Sequence, residues 1–198
     1  MKGKKKVILT VLCAVLLVVG SVLGTMAYLT SKTATANNTF TVGNVSITLD
    51  EALVNDDGTV VTGDDAARVT SNTYKLMPGH TYTKDPTIHV AQGSEACWLF
   101  VKVDNGIANI EDSSNTIASQ MAKDSNWTLV NGQTNVYAYK SAVSAGTDVK
   151  VFESFKIKGD AVTSEYANAS ISITGYAVQA DGFSTAEAAW RAAPATWQ

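Results

Sequence analysis

The residues that could perform acid–base or metal chemistry are few and widely spaced. The two histidines of the chain, His80 and His89, are nine positions apart, with Asp85 between them. If the histidines lie on adjacent strands, their rings and the Asp85 carboxylate could share a metal ion. A zinc site needs three or four ligands, however, and the sequence indicates no others. We therefore expect no resident metal or cofactor, and His80, Asp85 and His89 remain weak candidate ligands.

Motifs that signal catalysis are absent from the sequence. The chain has no G-x-S-x-G, no H-E-x-x-H, no glycine-rich phosphate loop and no cysteine pair at metal-binding spacing. We predict that the protein is not an enzyme. Cys97 precedes an apolar run, WLFV, which favours a small buried residue over a reactive thiol.

The first 27 residues have the pattern of an export signal. Four lysines precede the apolar run 7–23, and Thr25 and Ala27 supply small residues at both recognition positions of a cleavage site. We expect a signal peptidase to cleave between Ala27 and Tyr28, which would send the mature protein to the extracellular matrix or cell surface. An uncleaved signal anchor is the alternative, because the apolar run is about long enough to span a bilayer.

Cleavage would leave a strongly acidic protein. Removing four lysines and no acid changes the net charge from −3 to −7. Binding to nucleic acid or to an anionic membrane needs clustered Lys and Arg, so we expect neither as a partner after cleavage. Cys97 would be the single remaining cysteine, so an internal disulfide is excluded.

The body of the chain has the alternation that is typical of strands. We predict about eight to ten strands with turns between them, and hence an all-β antiparallel sandwich. Strands are predicted at 87–90, 98–103, 127–130, 136–139, 149–157 and 169–178, the last with a bulge at Gly175 where the apolar residues change face. A hairpin is predicted around Gly58 and one helix at 113–123.

The C-terminal tail, residues 182–198, has a different composition. Ser184 and Glu187 fit a capping box, which precedes the helix-forming run AEAAWRAA and the terminating Pro194. Because so short a helix is unstable alone in water, Trp190 is predicted to dock it. The docking surface is either the protein's own sandwich or a partner.

The stretch AYLTSKTATANNTFTVGNVSITL, residues 27–49, changes parity in its middle. Phe40 and Val42 share one strand face, whereas Val45 and the alternate residues after it share the other. Side chains alternate with a period of two, so this change requires a bend or bulge, which Gly43 can supply. We predict a hinged strand, in which residues 28–42 form an assembly arm and a proximal strand starts at Val45.

This stretch resembles the start of mature TasA/camelysin-type proteins, which Gram-positive bacteria export through a dedicated signal peptidase. The resemblance is carried by the aromatic residue after Ala27, the polar stretch that follows, N-T-F, a glycine and an alternating strand. Residues 75–103 resemble the family's L-x-P-G segment, and residues 176–190 resemble the ending of some members. The resemblance implies a jelly-roll sandwich over residues 28–181, followed by the helical tail 182–198.

The resemblance also implies a function: head-to-tail polymerisation into extracellular or biofilm-matrix fibres. Each copy would donate its arm, 28–42, to the sandwich of the next copy, and such contacts do not close into a ring. A camelysin-like surface metallopeptidase is the enzymatic alternative. A monomeric adhesin or binding module, whose arm completes its own sheet, is another. Expected partners are further copies, the signal peptidase and other matrix or surface proteins.

Overall fold

The structure of the protein is a computed structural model, and it describes residues 43–197. The chain divides into two units, Met1–Thr41 and Val42–Gln198, and the description concerns the second. The predicted cleavage site, Ala27–Tyr28, and the predicted assembly residues Phe40 and Val42 lie outside the described residues. Residues 43–197 are called the body below.

Ten strands and two short α-helices form the regular structure of the described residues. The strands are β1 Ile47–Ala52, β2 Arg68–Val69, β3 Thr81–Thr83, β4 Thr87–Val90, β5 Cys97–Asn105, β6 Trp127–Leu129, β7 Val136–Tyr139, β8 Asp148–Lys150, β9 Ser154–Lys156 and β10 Ile171–Gln179. The helices are α1, Ile117–Ala122, and α2, Ala186–Ala192. No helix in this part of the chain has the length and hydropathy needed to cross a membrane.

The strands form two four-stranded sheets and one two-stranded ribbon. The sheet orders are β2-β1-β4-β8 and β10-β5-β7-β6, and β3 pairs with β9. Every pair is antiparallel. The predicted all-β class is therefore confirmed, and β4 and β7 have the predicted bounds.

The main hydrophobic core receives side chains from both four-stranded sheets. Ile88 of β4 and Leu99 and Val101 of β5 are fully buried members of it. The opposite face of β5 is also covered, because Phe100 packs in a second cluster with Trp190 of α2. The prediction that 98–103 is a central strand covered on both sides is confirmed.

The predicted bulge at Gly175 is wrong. The register between β10 and β5 runs without interruption from Ile171↔Asn105 to Gln179↔Cys97. The apolar residues change face for another reason. Ile171 and Ile173 face the main core, whereas Tyr176 and Val178 face the second cluster beneath the C-terminal tail. One flat strand with different partners at its two ends produces the same sequence pattern as a bulge.

The predicted strand 149–157 is two strands. β8 pairs with β4 in one sheet, and β9 pairs with β3 in the ribbon. Between them Val151 and Phe152, which are adjacent in sequence, are both buried. A single flat strand would point such neighbours to opposite faces, so the chain turns here.

Both predicted helices are present, with shifted starts. α1 begins after Thr116, whose hydroxyl accepts a hydrogen bond from the Ser119 N–H, and not at 113. The cap of α2 is Thr185, which accepts from the Ala188 N–H. The predicted capping box of Ser184 and Glu187 is therefore wrong by one residue.

Candidate functional site

A groove of about 810 Å³ opens along the seam between β1 and β10, which belong to different sheets. Next to the groove β1 and β10 lie close together: a methyl group added at Gly175 of β10 would lie 3.5 Å from the Ile47 side chain of β1. The walls are Leu49 and Glu51 of β1, residues 171–173 of β10, the segment 70–76, most of the segment 163–170, and Lys84, Pro86, Ile107 and Phe155.

The outer edge of β10 borders this groove. β10 lies at the end of its sheet, and within the described residues β5 is its single strand neighbour. The Gly106 N–H donates to Ser170 O at 2.8 Å, and the Ala180 N–H donates to Ala96 O at 2.7 Å. Hydrogen-bonded pairs alternate in an antiparallel ladder, so the main-chain groups of Ile171 and Ile173 point to the open edge.

β1 presents a similar edge on the other side of the seam. The Ala91 N–H donates to Ser46 O at 3.0 Å, so the same alternation turns the main-chain groups of Ile47 and Leu49 away from β4. On that side β2 pairs with Glu51 and Ala52 alone among the residues of the body. Unpaired strand edges are templates for a further strand.

The described chain begins at the end of the body that lies opposite the groove. Gly43 lies beside Glu95, and the Glu95 N–H donates to Asn44 O at 2.9 Å. This loop immediately precedes Cys97, the first residue of β5, whereas the groove lies where β10 starts opposite Asn105, the last residue of β5. Nine strand residues, or about 27 Å, separate the two ends.

A buried ion pair forms part of the groove wall. Lys84 Nζ lies 2.6 Å from Glu51 Oε2, and the two residues are 7% and 4% exposed. Burying two charges costs several kcal/mol per ion, which their mutual attraction offsets only when the remaining donors and acceptors are also satisfied. The pair therefore adds two charged groups to a groove wall that also carries many neutral polar side chains.

Tyr74 lies next to this pair and stays neutral. Burial is the main cause that raises the pKa of its hydroxyl, and the charges of Glu51 and Asp85 act in the same direction. The hydroxyl donates to Thr83 O at 3.1 Å. The Tyr74 ring packs edge-on against Tyr82 and Phe155, and Lys84 Nζ lies 6.0 Å from its centre.

The segment 70–76, which carries Tyr74, is attached to the body by side-chain and main-chain hydrogen bonds. Asn72 Oδ1 accepts from the Val54 N–H at 3.0 Å, and Asn72 Nδ2 donates to Ala52 O at 2.8 Å. The Lys75 N–H donates to Asp56 O at 2.8 Å. Residues 71–77 have neither helix nor strand. One wall of the groove is therefore an irregular segment that Asn72 connects to the continuation of β1.

The three weak metal candidates each have different partners. His80 Nε2 lies 2.8 Å from Asp57 O. Asp85 accepts a hydrogen bond from the Ala52 N–H at 2.7 Å and pairs with Arg68. No group of three or more His, Cys, Asp and Glu side chains in the body is arranged to hold a metal ion.

His89 belongs to a charged network on the outer face of the β1-β4-β8 sheet. Its Nδ1 lies 2.7 Å from Asp148 Oδ1, and its Nε2 lies 2.8 Å from Asp50 Oδ1. Arg68 makes a very close contact with the same Asp50 oxygen. The network joins neighbouring strands and does not face the groove.

The other predicted residues are placed as follows. Gly43 is exposed at the start of the described chain. Trp190 is 4% exposed and packs on its own sheet, with its ring centre 4.9 Å from that of Phe100. Cys97 is a free cysteine and fully buried, as predicted, and burial raises the pKa of its thiol.

Glu51, Lys84 and Tyr74 were not singled out by the sequence. Glu51 and Lys84 are 33 positions apart; Glu51 follows Asp50 and Lys84 precedes Asp85, and both aspartates are only partly buried. The available signal was the acidic pair Asp50–Glu51 at the end of an alternating strand, since one member of an adjacent pair must point inward.

Scans against protein-family models, curated proteins and solved structures each return no match. The resemblance to TasA/camelysin-type proteins therefore remains a prediction from the residues that carry it.

Proposed function

We propose that the protein is a secreted structural subunit, which polymerises head to tail when the arm of one copy, residues 28–42, occupies the groove of the next. The body would be a jelly-roll sandwich of TasA type, completed by the donated strand. The fibres would form outside the cell, in a biofilm matrix or at the surface, after a signal peptidase releases the arm at Tyr28. No catalytic role is proposed.

The position of the groove supports this proposal most strongly. The groove has the unpaired edge of β10 on one side and that of β1 on the other, among the described strands. It lies at the end of the body opposite Gly43, from which the arm departs. A donor and an acceptor at opposite ends make a heterologous contact, and repetition of such a contact gives a filament.

The sequence of the arm suits strand addition. Its fifteen residues could extend about 50 Å, which is enough to leave one body and enter another. Phe40 and Val42 lie on one face of an extended strand, and each would contribute about 1.5–3 kcal/mol if fully buried. Main-chain hydrogen bonds to an open edge would add affinity, and the alternate side chains would set the register.

Variants of the arm test this proposal. Phe40→Asp/Val42→Asp would place two charges in the groove, and deletion of residues 28–38 would shorten the arm without touching β1. Both variants should be secreted and folded by circular dichroism, yet form no fibres by electron microscopy, because burying an unpaired carboxylate costs several kcal/mol. Each should also stop the growth of fibres seeded by wild-type protein.

The matched control is Thr39→Asp/Thr41→Asp, which places the same two charges on the opposite face of the arm. This control should still polymerise. Normal polymerisation of the deletion variant would contradict strand donation by this arm. Unfolding of both arm variants would instead favour the monomeric module, in which the arm completes its own sheet.

A further inference from the structure

Two Asn-Gly pairs occur in the sequence, Asn105–Gly106 and Asn131–Gly132. Asparagine is thermolabile, and most so before glycine, because a residue without Cβ leaves its amide nitrogen free to attack the preceding side chain. The nitrogen attacks the asparagine Cγ, a cyclic succinimide forms, and the side-chain nitrogen leaves as ammonia. Water then opens the ring to aspartate or to isoaspartate, in which the main chain runs through the side chain. The fold decides whether the two reacting atoms can meet.

Asn105, the last residue of β5, has both of its reacting groups engaged. Its Oδ1 accepts from the Ile107 N–H at 3.1 Å, and its Nδ2 donates to the buried Glu111 at 3.0 Å. The attacking nitrogen is also held, since the Gly106 N–H donates to Ser170 O at 2.8 Å. These hydrogen bonds must break before the ring can close.

Asn131 lies in the turn between β6 and β7, and both Asn131 and Gly132 are exposed. The Gln133 N–H donates to Val130 O at 3.0 Å and closes this turn. Within the described residues, neither the Asn131 side chain nor the Gly132 N–H makes a hydrogen bond. The attacking nitrogen and the side-chain carbon can therefore approach each other without the loss of a hydrogen bond.

We propose that Asn131 is a site of spontaneous deamidation, and that the fold protects Asn105 from the same reaction. Water is the single co-reactant, and the products are ammonia and an acidic residue. The new carboxylate would lie near the start of α2, because Asn131 and Glu187 line the same cleft of about 290 Å³. Isoaspartate would also lengthen the main chain beside Val130, which is buried in the cluster of Trp190. This inference goes beyond the proposed function and does not depend on it.

Incubation of the purified protein in mildly alkaline buffer tests the proposal, because base removes the proton of the attacking amide. Peptide mapping by mass spectrometry should show a gain of about 1 Da at Asn131, the difference between an amide and an acid. Asn105 should react at least about tenfold more slowly, since the hydrogen bonds that must open first lower its reactive population. In concentrated denaturant the two pairs should react at similar rates. Similar rates in the folded protein, or an unmodified Asn131, would overturn the proposal.

Two variants test the attack by the Gly132 nitrogen. Gly132→Ala adds a methyl group beside this nitrogen, where it meets nothing within 4 Å, although the φ of 82° strains the turn. Asn131→Gln keeps the amide and the turn glycine, but its longer side chain disfavours ring closure. Both variants should lose the gain in mass at residue 131 and keep the wild-type circular dichroism spectrum. A wild-type rate of modification in folded Asn131→Gln would contradict the mechanism, whether or not Gly132→Ala folds.

Discussion

At the scale of single residues, the geometry of His89 defines its charge. Both ring nitrogens lie within 2.8 Å of a carboxylate oxygen, one on Asp50 of β1 and one on Asp148 of β8. A neutral imidazole has one N–H, so only the imidazolium can donate to both carboxylates. His89 thus links three adjacent strands when it is protonated. The hydrogen bond to Asp50 is the main cause that raises the pKa of His89, and burial opposes it.

This network predicts a stability that falls as pH rises. A histidine pKa that folding raises contributes stability that is fully present below its unfolded value, about 6.5, and is lost as pH rises through the folded value. The urea midpoint of wild type should therefore be lower at about pH 8.5 than at about pH 6. In His89→Gln this dependence should shrink clearly, because glutamine does not titrate.

His80→Gln is the control for that experiment, since it removes the other histidine and leaves the network intact. It should keep the wild-type pH dependence. An unchanged slope in His89→Gln would mean that the contacts with Asp50 and Asp148 contribute nothing to folding.

At the scale of elements, β10 shows where sequence patterns are informative and where they are ambiguous. Alternation predicted the strand, and the bounds of β4 and β7 were predicted from their apolar residues and flanking turns. Alternation could not show which elements cover the two faces of β10. Tyr176 and Val178 pack in the cluster that includes α2, whereas Ile171 packs against the main core, which other parts of the chain supply. The split between β8 and β9 was missed because Val149, Val151, Phe155 and Ile157 keep one parity on both sides of the turn, although Glu153 interrupts it.

The contact between α2 and β10 gives a prediction for the tail. Trp190→Ala should lower the free energy of unfolding by about 3–5 kcal/mol, because it empties a buried site against Phe100 and Tyr176. Denaturant unfolding followed by circular dichroism measures this loss. Arg191→Ala changes the neighbouring exposed residue and should cost less than about 0.5 kcal/mol. A loss below about 1 kcal/mol for Trp190→Ala would show that the tail is not stably docked in solution.

At the scale of the whole molecule, the candidate site is formed by residues that are far apart in sequence and meet only in the folded chain. The sequence predicted the all-β class and a strand-forming arm with Phe40 and Val42. The groove, however, exists because β10, the end strand of its sheet, lies beside β1, which is more than a hundred positions away and which β2 covers at Glu51 and Ala52 alone among the described residues. The polar point inside the groove pairs Glu51 with Lys84 across 33 positions. Such features require the folded chain, since periodicity reports local structure alone.

A cross-link between arm and groove tests strand donation most directly. A variant that combines Phe40→Cys with Ile171→Cys or Ile173→Cys carries one thiol on the arm and one on the groove wall, while Cys97 remains fully buried. After assembly and oxidation, an unreduced denaturing gel should show a ladder of covalent multimers, because each arm would reach the next copy. Covalent closure within single chains, with monomers as the only cross-linked product, would contradict donation.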